Sequence, residues 1–263
     1  MMSYERTWLE EQGSQDSHGR VVWALGSAIG MSQSDYIRGI ALKLFEKALP
    51  ALSEFAHPRS WASSLVGIHA YLTQYTGDSK ARRIRETLAE RLFDLYKSYS
   101  SKDWPWIEDT LTYANAKIPQ ALILSGKSMQ QEEMLNASLD MLRWLTDIQT
   151  DPSGHLSPIG SNGWYSRGAN KARFAQQPLE AMNIIEACDD AYNITGDQKW
   201  LSIAYRSLEW FLGRNDLNQP LYDYNTGGCC DSLEARGPNQ NQGAESTLSW
   251  LLSLAKLYRQ NNG

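Results

Sequence analysis

Apolar positions along the chain repeat one order: a nearly all-apolar helix, an amphipathic return helix, then a polar loop. A helix over about residues 20–31, reading VVWALGSAIGM, is apolar almost all round and belongs inside; Gly13 breaks the chain before it, and Asp16 or Ser17 can cap it. Ser34 caps a second helix over about 35–55, whose Ile37, Ile40, Ala41, Leu44, Phe45 and Ala48 recur at helical spacing with charges between, so it belongs outside. Pro58 opens an interior helix through Trp61, Leu65, Ile68 and Leu72, and Gly77 of YTGD stands where a left-handed cap is favoured. The charged helix over 79–99 is exterior. An interior helix from Ile118 follows, then an exterior one through Met134, Leu139, Leu142, Trp144 and Leu145. A long loop over 151–173 leads to an interior helix from Gln177, then an exterior one with Trp200, Ile203, Ala204, Leu208 and Phe211. A second long loop over 215–242 leads to a last interior helix near Ala244, reading TLSWLLSLAKLY.

Sustained period-two alternation and tight hairpin signals are absent, so the chain reads as all-α. YTGDSKA at Tyr75 and ITGDQKW at Ile194 hold the same place between an apolar and an amphipathic helix, and KIPQAL and QQPLEA both put a proline at the start of a buried one. Hairpins of roughly forty to sixty residues with unequal loops disfavour a simple solenoid and fit an (α/α) toroid, inner helices ringed by outer ones. The pattern yields about five inner and four outer helices in one domain over residues 1–263. Six hairpins would close such a ring, so it reads as incomplete, its first hairpin missing or supplied by a partner chain or a second copy, since an unfilled gap exposes apolar surface.

A formal net charge of -5 argues against nucleic acid or an anionic membrane as the main partner. Ten tryptophans and thirteen tyrosines against five phenylalanines favour rings with a polar handle, which suit a half-wet cleft. Cys188, Cys229 and Cys230 form no metal spacing and no even disulfide set, which suggests a reducing, cytoplasmic setting. The first residues are charged and read as no signal peptide, and no stretch is long and apolar enough to span a bilayer.

Candidate chemistry gathers where polar loops meet interior helices. In DWPWIEDTLTYANAKIPQALIL, Trp104 and Trp106 flank Pro105 and are followed by Glu108 and Asp109, which sets stacking faces beside groups able to move protons. Hydrolysis of a glycosidic bond uses one carboxylic acid and one carboxylate, roughly 6.5–9.5 Å apart when the outcome is inversion. Glu108 and Asp109 on one side and Glu245 on the other are the catalytic candidates, because separate hairpins can bring them face to face; for Asp109 and Glu245 a plain helix N-terminal charge is the competing reading. Candidate sugar-binding residues at the same junctions are Asp16, His18, Arg20, Trp104, Trp106, Tyr113, Asn115, Trp164, Tyr165, Gln177, Glu180, Asp231 and Gln242. His57, His69 and His155 are scattered without ligand spacing, so no metal is expected, and TGGCCD and GSNGWY lack the context of a phosphate loop, so no cofactor is expected.

The motifs DSHGRVVWALG, WPWIEDTLTYANAKIPQAL, GHLSPIGSNGWY, QQPLEA, TGDQKWL, NDLNQPLYDYNTGGCCD and NQGAESTLSWLLSL together resemble the helical toroid domain found C-terminally in certain bacterial proteins named glycosyltransferases, which is related to the six-hairpin glycosidase superfamily. The resemblance covers nearly the whole chain and implies a carbohydrate-active, inverting-glycosidase-like fold acting on an oligosaccharide or small glycoside. This sequence departs from the family pattern in three places. A segment like GYCTDDNARAL does not precede Met1, and Ala114 and Ala175 stand where the family carries acids. If those acids serve the chemistry, this copy is impaired. Three readings stay open: a sugar-converting enzyme, a noncatalytic saccharide-binding module accompanying a glycosyltransferase, and an inactive truncated remnant.

Overall fold

The computed structural model describes residues 2–11 and 13–262. Among them are nine α-helices: α1 (Gln15–Met31), α2 (Asp35–Ala48), α3 (Pro58–Gln74), α4 (Ser79–Tyr99), α5 (Lys117–Met129), α6 (Glu132–Ile148), α7 (Pro178–Thr195), α8 (Gln198–Phe211) and α9 (Ala244–Asn262). The inner helices pack in the order α1, α3, α5, α7, α9, and α2, α4, α6 and α8 back them from outside. This is the all-α toroid with five inner and four outer helices that the hydrophobic pattern predicts. No helix among the described residues is long and apolar enough to cross a membrane.

Local chemistry sets the ends. Ser34 accepts from the Ile37 amide, Asp78 from Lys80 and Ala81, and Asp197 from Lys199, while Pro58 and Pro178 sit in the first turns of α3 and α7. The first helix begins earlier than expected: Ser14, not Asp16 or Ser17, is its cap, accepting from the Ser17 amide. The second ends at Ala48, where Leu49–Glu54 tightens to a 3-10 turn around Pro50, which has no amide to continue the α ladder. The two TGD turns also differ. Gly196 is left-handed at φ 73°, whereas Gly77 is not, because α3 ends at Tyr75 and Asp78 turns back to the Tyr75 carbonyl.

Helices α1 and α3 meet backbone to backbone through glycine. A Cβ on Gly26 would lie 2.0 Å from the Gly67 carbonyl oxygen, and one on Gly67 would lie 2.3 Å from that of Val22. Helices α5 and α7 are buried over most of their length. The first and last inner helices are less enclosed than their apolar sequences imply: Val21 and Met31 on α1, and Leu248, Leu251, Leu252, Leu254 and Tyr258 on α9, are exposed. The reason is that α1 and α9 are the two ends of the packed series, so each lacks a neighbour on one side.

The long loops lie over the N-termini of the inner helices and are stitched by short ladders the sequence did not signal. β1 (Thr110–Leu111) pairs antiparallel with β2 (Tyr165–Ser166), and β3 (Leu233–Glu234) with β4 (Gly237–Pro238). A further bridge joins Gln176 to Leu233.

Candidate functional site

The first turn of α3 carries Arg59, which organises one half of the ring mouth. Its Nη1 donates to both Glu108 carboxylate oxygens at 3.0 Å, its Nε to the Tyr113 carbonyl at 2.6 Å, and its Nη2 to Asn115 Oδ1 at 3.4 Å. The guanidinium also lies 5.1 Å from the centre of the Tyr113 ring. Beneath it, Glu180 of α7 accepts from the Ala114 amide at 2.5 Å, the Asn115 amide at 3.4 Å and Asn115 Nδ2 at 3.3 Å. Burial pushes the Glu180 carboxyl up to about 7, against the pull of these donors and of Arg59. Asn115 is spent on this turn, accepting from the Thr112 amide and donating to the Thr112 carbonyl.

The other half is built on Arg20 of α1. Its Nε meets Asp16 Oδ2 at 3.0 Å, one turn back on the same face, and its Nη1 meets Glu245 Oε2 at 2.8 Å in the first turn of α9. The Tyr113 hydroxyl donates to Asp16 Oδ1 at 3.4 Å and joins the halves. Glu108, Arg59, Tyr113, Asp16, Arg20 and Glu245 thus form one continuous rim spanning α3, α1, α9 and the loop before α5. Each side offers charged donors and acceptors at a partly open surface, an arrangement suited to hydroxyl-rich ligands.

Other expected residues stand elsewhere. The Asp109 side chain is 73% exposed and lies 4.0 Å from Arg167, outside this rim, since it enters β1 rather than a helix N-terminus. Trp104 and Trp106 are core rings packed on Trp144, with Trp104 Nε1 donating to the Glu108 carbonyl, so they brace the loop instead of offering stacking faces. Tyr165 packs edge-on against Trp104 at 5.2 Å, and half-buried Trp164 takes a left-handed φ of 57°. His18, two positions from Asp16 and so on another face of α1, bonds the Ala48 carbonyl at 2.9 Å and packs on Phe55. Gln177 caps α7 through its backbone, with no side-chain bond to the helix. Asp231 accepts from the Gly243 amide at 2.7 Å and from Asn241, and Gln242 spans Thr226 and Asp223, so both close the loop before α9.

Arg59 is the residue sequence reasoning missed. The available signal is a cation in the first turn of a buried helix, unfavourable to the helix dipole unless an acid holds it there. The two alanines in acid positions have a conformational meaning as well: Ala114 and Ala175 are left-handed, at φ 50° and 61°, where aspartate and asparagine are favoured. An acid at these positions has a backbone explanation independent of chemistry.

Asp151, His155 and Asp216 bring one possible metal-ligand atom each within 4.8 Å of one another, a grouping invisible in sequence spacing. Arg173 at 2.8 Å and Gln176 at 2.7 Å already occupy the two Asp216 oxygens, and the arginine supplies the positive charge a metal would bring. The three thiols are free and buried, and burial pushes Cys229 up to about 12, which fits structural thiols.

No family model matches the chain, and no curated protein matches it. Solved structures do share its fold. A crystal structure of an unsaturated glucuronyl hydrolase specific for heparin aligns with a TM-score of 0.70 at 14% identity, over 98% of this chain and 71% of that one. A GH76 α-mannanase from Bacteroides thetaiotaomicron aligns with a TM-score of 0.64 at 12% identity, over 94% of this chain and 70% of that one. A D-mannose isomerase gives 0.64 at 12% identity, over 97% and 73%. At such identities the likeness is one of fold: the chain has the all-α toroid that these proteins share.

Proposed function

We propose that this chain binds an oligosaccharide or small glycoside across the ring mouth, as the saccharide-recognising domain of a carbohydrate-active protein. One observation carries the reading: the carboxylates of the rim alternate with arginines in a single linked network from Glu108 to Glu245. Arginine-paired carboxylates accept hydrogen bonds from sugar hydroxyls, and the remaining guanidinium hydrogens donate to ring and hydroxyl oxygens. The same pairing commits both Glu108 oxygens to Arg59 and one Glu245 oxygen to Arg20, which favours a fixed hydrogen-bonding role over proton transfer. The noncatalytic module is therefore the better supported of the three readings, and a glycosyltransferase is the kind of protein it would accompany.

Hydrolysis is the second reading, favoured by Glu180: a carboxyl pushed up to about 7 has the protonation a general acid requires. In that reading Glu108 or Glu245 supplies the base, and the turn formed by Tyr113, Ala114 and Asn115 must lift to uncover Glu180. Buried thiols support a reducing, cytoplasmic setting, and the exposed apolar side of α9 supports cover by a partner chain or a second copy. The test is a panel of oligosaccharides scored for both binding and product. Binding without product supports the module, and product lost in Glu108→Gln or Glu245→Gln with binding retained supports the hydrolase. A folded protein that does neither is a remnant.

A further inference from the structure

The chain from Leu221 to Cys230 folds back on itself ahead of α9 in a turn that the rim does not use. The Asp223 amide donates to the Gly228 carbonyl at 2.9 Å and the Cys230 amide to that of Leu221 at 2.8 Å, with Tyr222 and Cys229 bridged between them. Gly227 closes the turn in a left-handed conformation, at φ 75°. Both strands of the turn are tied down: the Leu221 amide donates to the Phe211 carbonyl at the end of α8, and the Cys229 amide to Thr247 Oγ1 in the first turn of α9.

Three rings run outward from the core along this turn. Tyr222 lies 4.7 Å from Trp250 of α9 with the rings tilted by 30°, and Tyr224 meets Tyr222 at 4.8 Å with the rings 74° apart. Trp250 is buried and Tyr222 half-buried, but Tyr224 is 69% exposed. The outermost ring is therefore held in one orientation and left open to solvent. A flat guest that stacks on it meets a surface already ordered, which removes a cost of binding.

Beside that ring lies a hollow of about 340 Å³, walled by Asp223, Tyr224, Asn225 and Gln240 over Leu221 and Cys230, and no residue of the rim lines it. Asp223 is the only charged side chain among the described residues that line it. Its Oδ1 accepts from the Asn225 amide at 2.8 Å and its Oδ2 from Gln242 Nε2 at 2.9 Å, and these donors hold the carboxyl below its usual range, ionised and with acceptor sites to spare. An anionic guest would meet only like charge. A bare organic cation is best held by several aromatic faces, and Tyr222 is already engaged by Trp250 and Tyr224, so one open ring remains. A sugar ring fits better, since its C–H face lies flat on an aromatic ring while its hydroxyls donate to a carboxylate and exchange hydrogen bonds with amides. We infer that this hollow is a second saccharide contact, seating one uncharged pyranose ring on the Tyr224 face with hydroxyls donating to Asp223. It rests on the saccharide reading of the mouth for its class of ligand alone; its place in the fold is independent of the rim.

The test is an amide chemical-shift titration of the full chain with methyl β-D-glucoside, methyl α-D-mannoside and methyl β-D-galactoside, and with tetramethylammonium chloride as a cation. At least one glycoside should shift the amides of residues 222–225 and 240 saturably. Tyr224→Ala should weaken that response about tenfold or more, Asp223→Asn should weaken it as well, and Tyr224→Phe, which keeps the ring, should preserve it. The rim variant Arg20→Ala should leave it unchanged. Absence of a saturable shift in this loop with every glycoside overturns the inference, as does a response indifferent to Tyr224→Ala, one lost in Arg20→Ala, or one given by tetramethylammonium alone. Shifts confined to the rim overturn it while leaving the reading of the mouth in place, and shifts confined to this loop support it while counting against the mouth.

Discussion

Helices α5 and α9 were written with the same apolar density, yet α5 is buried from Lys117 through Gly126 while α9 leaves Leu248, Leu251, Leu252 and Leu254 in solvent. The difference is one of neighbours. Helix α5 packs between α3 and α7 and against α4 and α6, whereas among the described residues α9 packs mainly on α7 and α8 and reaches α1 through side chains such as Arg20 to Glu245. Burial is thus a property of position in the ring, which a helix's own sequence does not encode. At the seam between α9 and α1 a polar clasp does at the mouth what apolar packing does elsewhere.

The comparison can be broken most sharply in the enclosed sector. Lys117 and Glu186 are a buried ion pair, and Glu186→Gln, which strands the lysine, should cost about 3–5 kcal/mol in urea unfolding. A cost near zero would mean that the lysine reaches water. Leu122→Ala on α5, where the side chain is fully buried, should cost about 2–5 kcal/mol, while Leu251→Ala on α9, 48% exposed, should stay within about 0.5 kcal/mol at micromolar protein. If Leu251→Ala instead lowers stability in a concentration-dependent way, a second copy covers α9 in solution.

Glycine sharpens the picture on the α1 side. Gly26→Ala drives a methyl to 2.0 Å from a backbone oxygen of Gly67 and should destabilise by about 1–3 kcal/mol or more, whereas Gly39→Ala on α2, with open space around it, should stabilise by up to about 1 kcal/mol. Ala175→Gly should stabilise by about 1 kcal/mol because its φ of 61° is left-handed. Thermal melts of the variants check these signs.

Glu180 gives a pH dependence of defined sign. Its folded carboxyl is raised to about 7 from an ordinary value of 4.5, so the fold is not penalised below the lower value and loses stability as pH climbs to the higher, by about 3 kcal/mol in total. Melting temperatures across that window should fall in the native protein and be flat by comparison in Glu180→Gln.

Much of the architecture was legible because interior and exterior helices differ in periodicity, and because prolines and TGD turns mark their ends. The rim was legible in part. Glu108, Asp16, Arg20 and Glu245 were found as polar residues at loop-to-helix junctions, but which of them meet depends on contacts up to 225 residues apart, such as Arg20 with Glu245. Trp104 and Trp106 misled because adjacency to acids in sequence says nothing of which way a loop turns its rings. Asp109 lies in the bend just before β1, where its side chain turns out toward Arg167 while that of Glu108 turns in toward Arg59, a divergence that adjacency in sequence does not reveal. Arg59 is hidden because the apolar periodicity of α3 carries no information about the one cation in its first turn.

The rim's role can be read directly by amide chemical-shift mapping with the oligosaccharide that binds best in the panel. The account predicts that the largest perturbations fall on residues 16–20, 59, 108, 113 and 245 and vanish in Arg20→Ala. Perturbations centred on the outer faces of α2, α4, α6 or α8, with the rim unmoved, would contradict it.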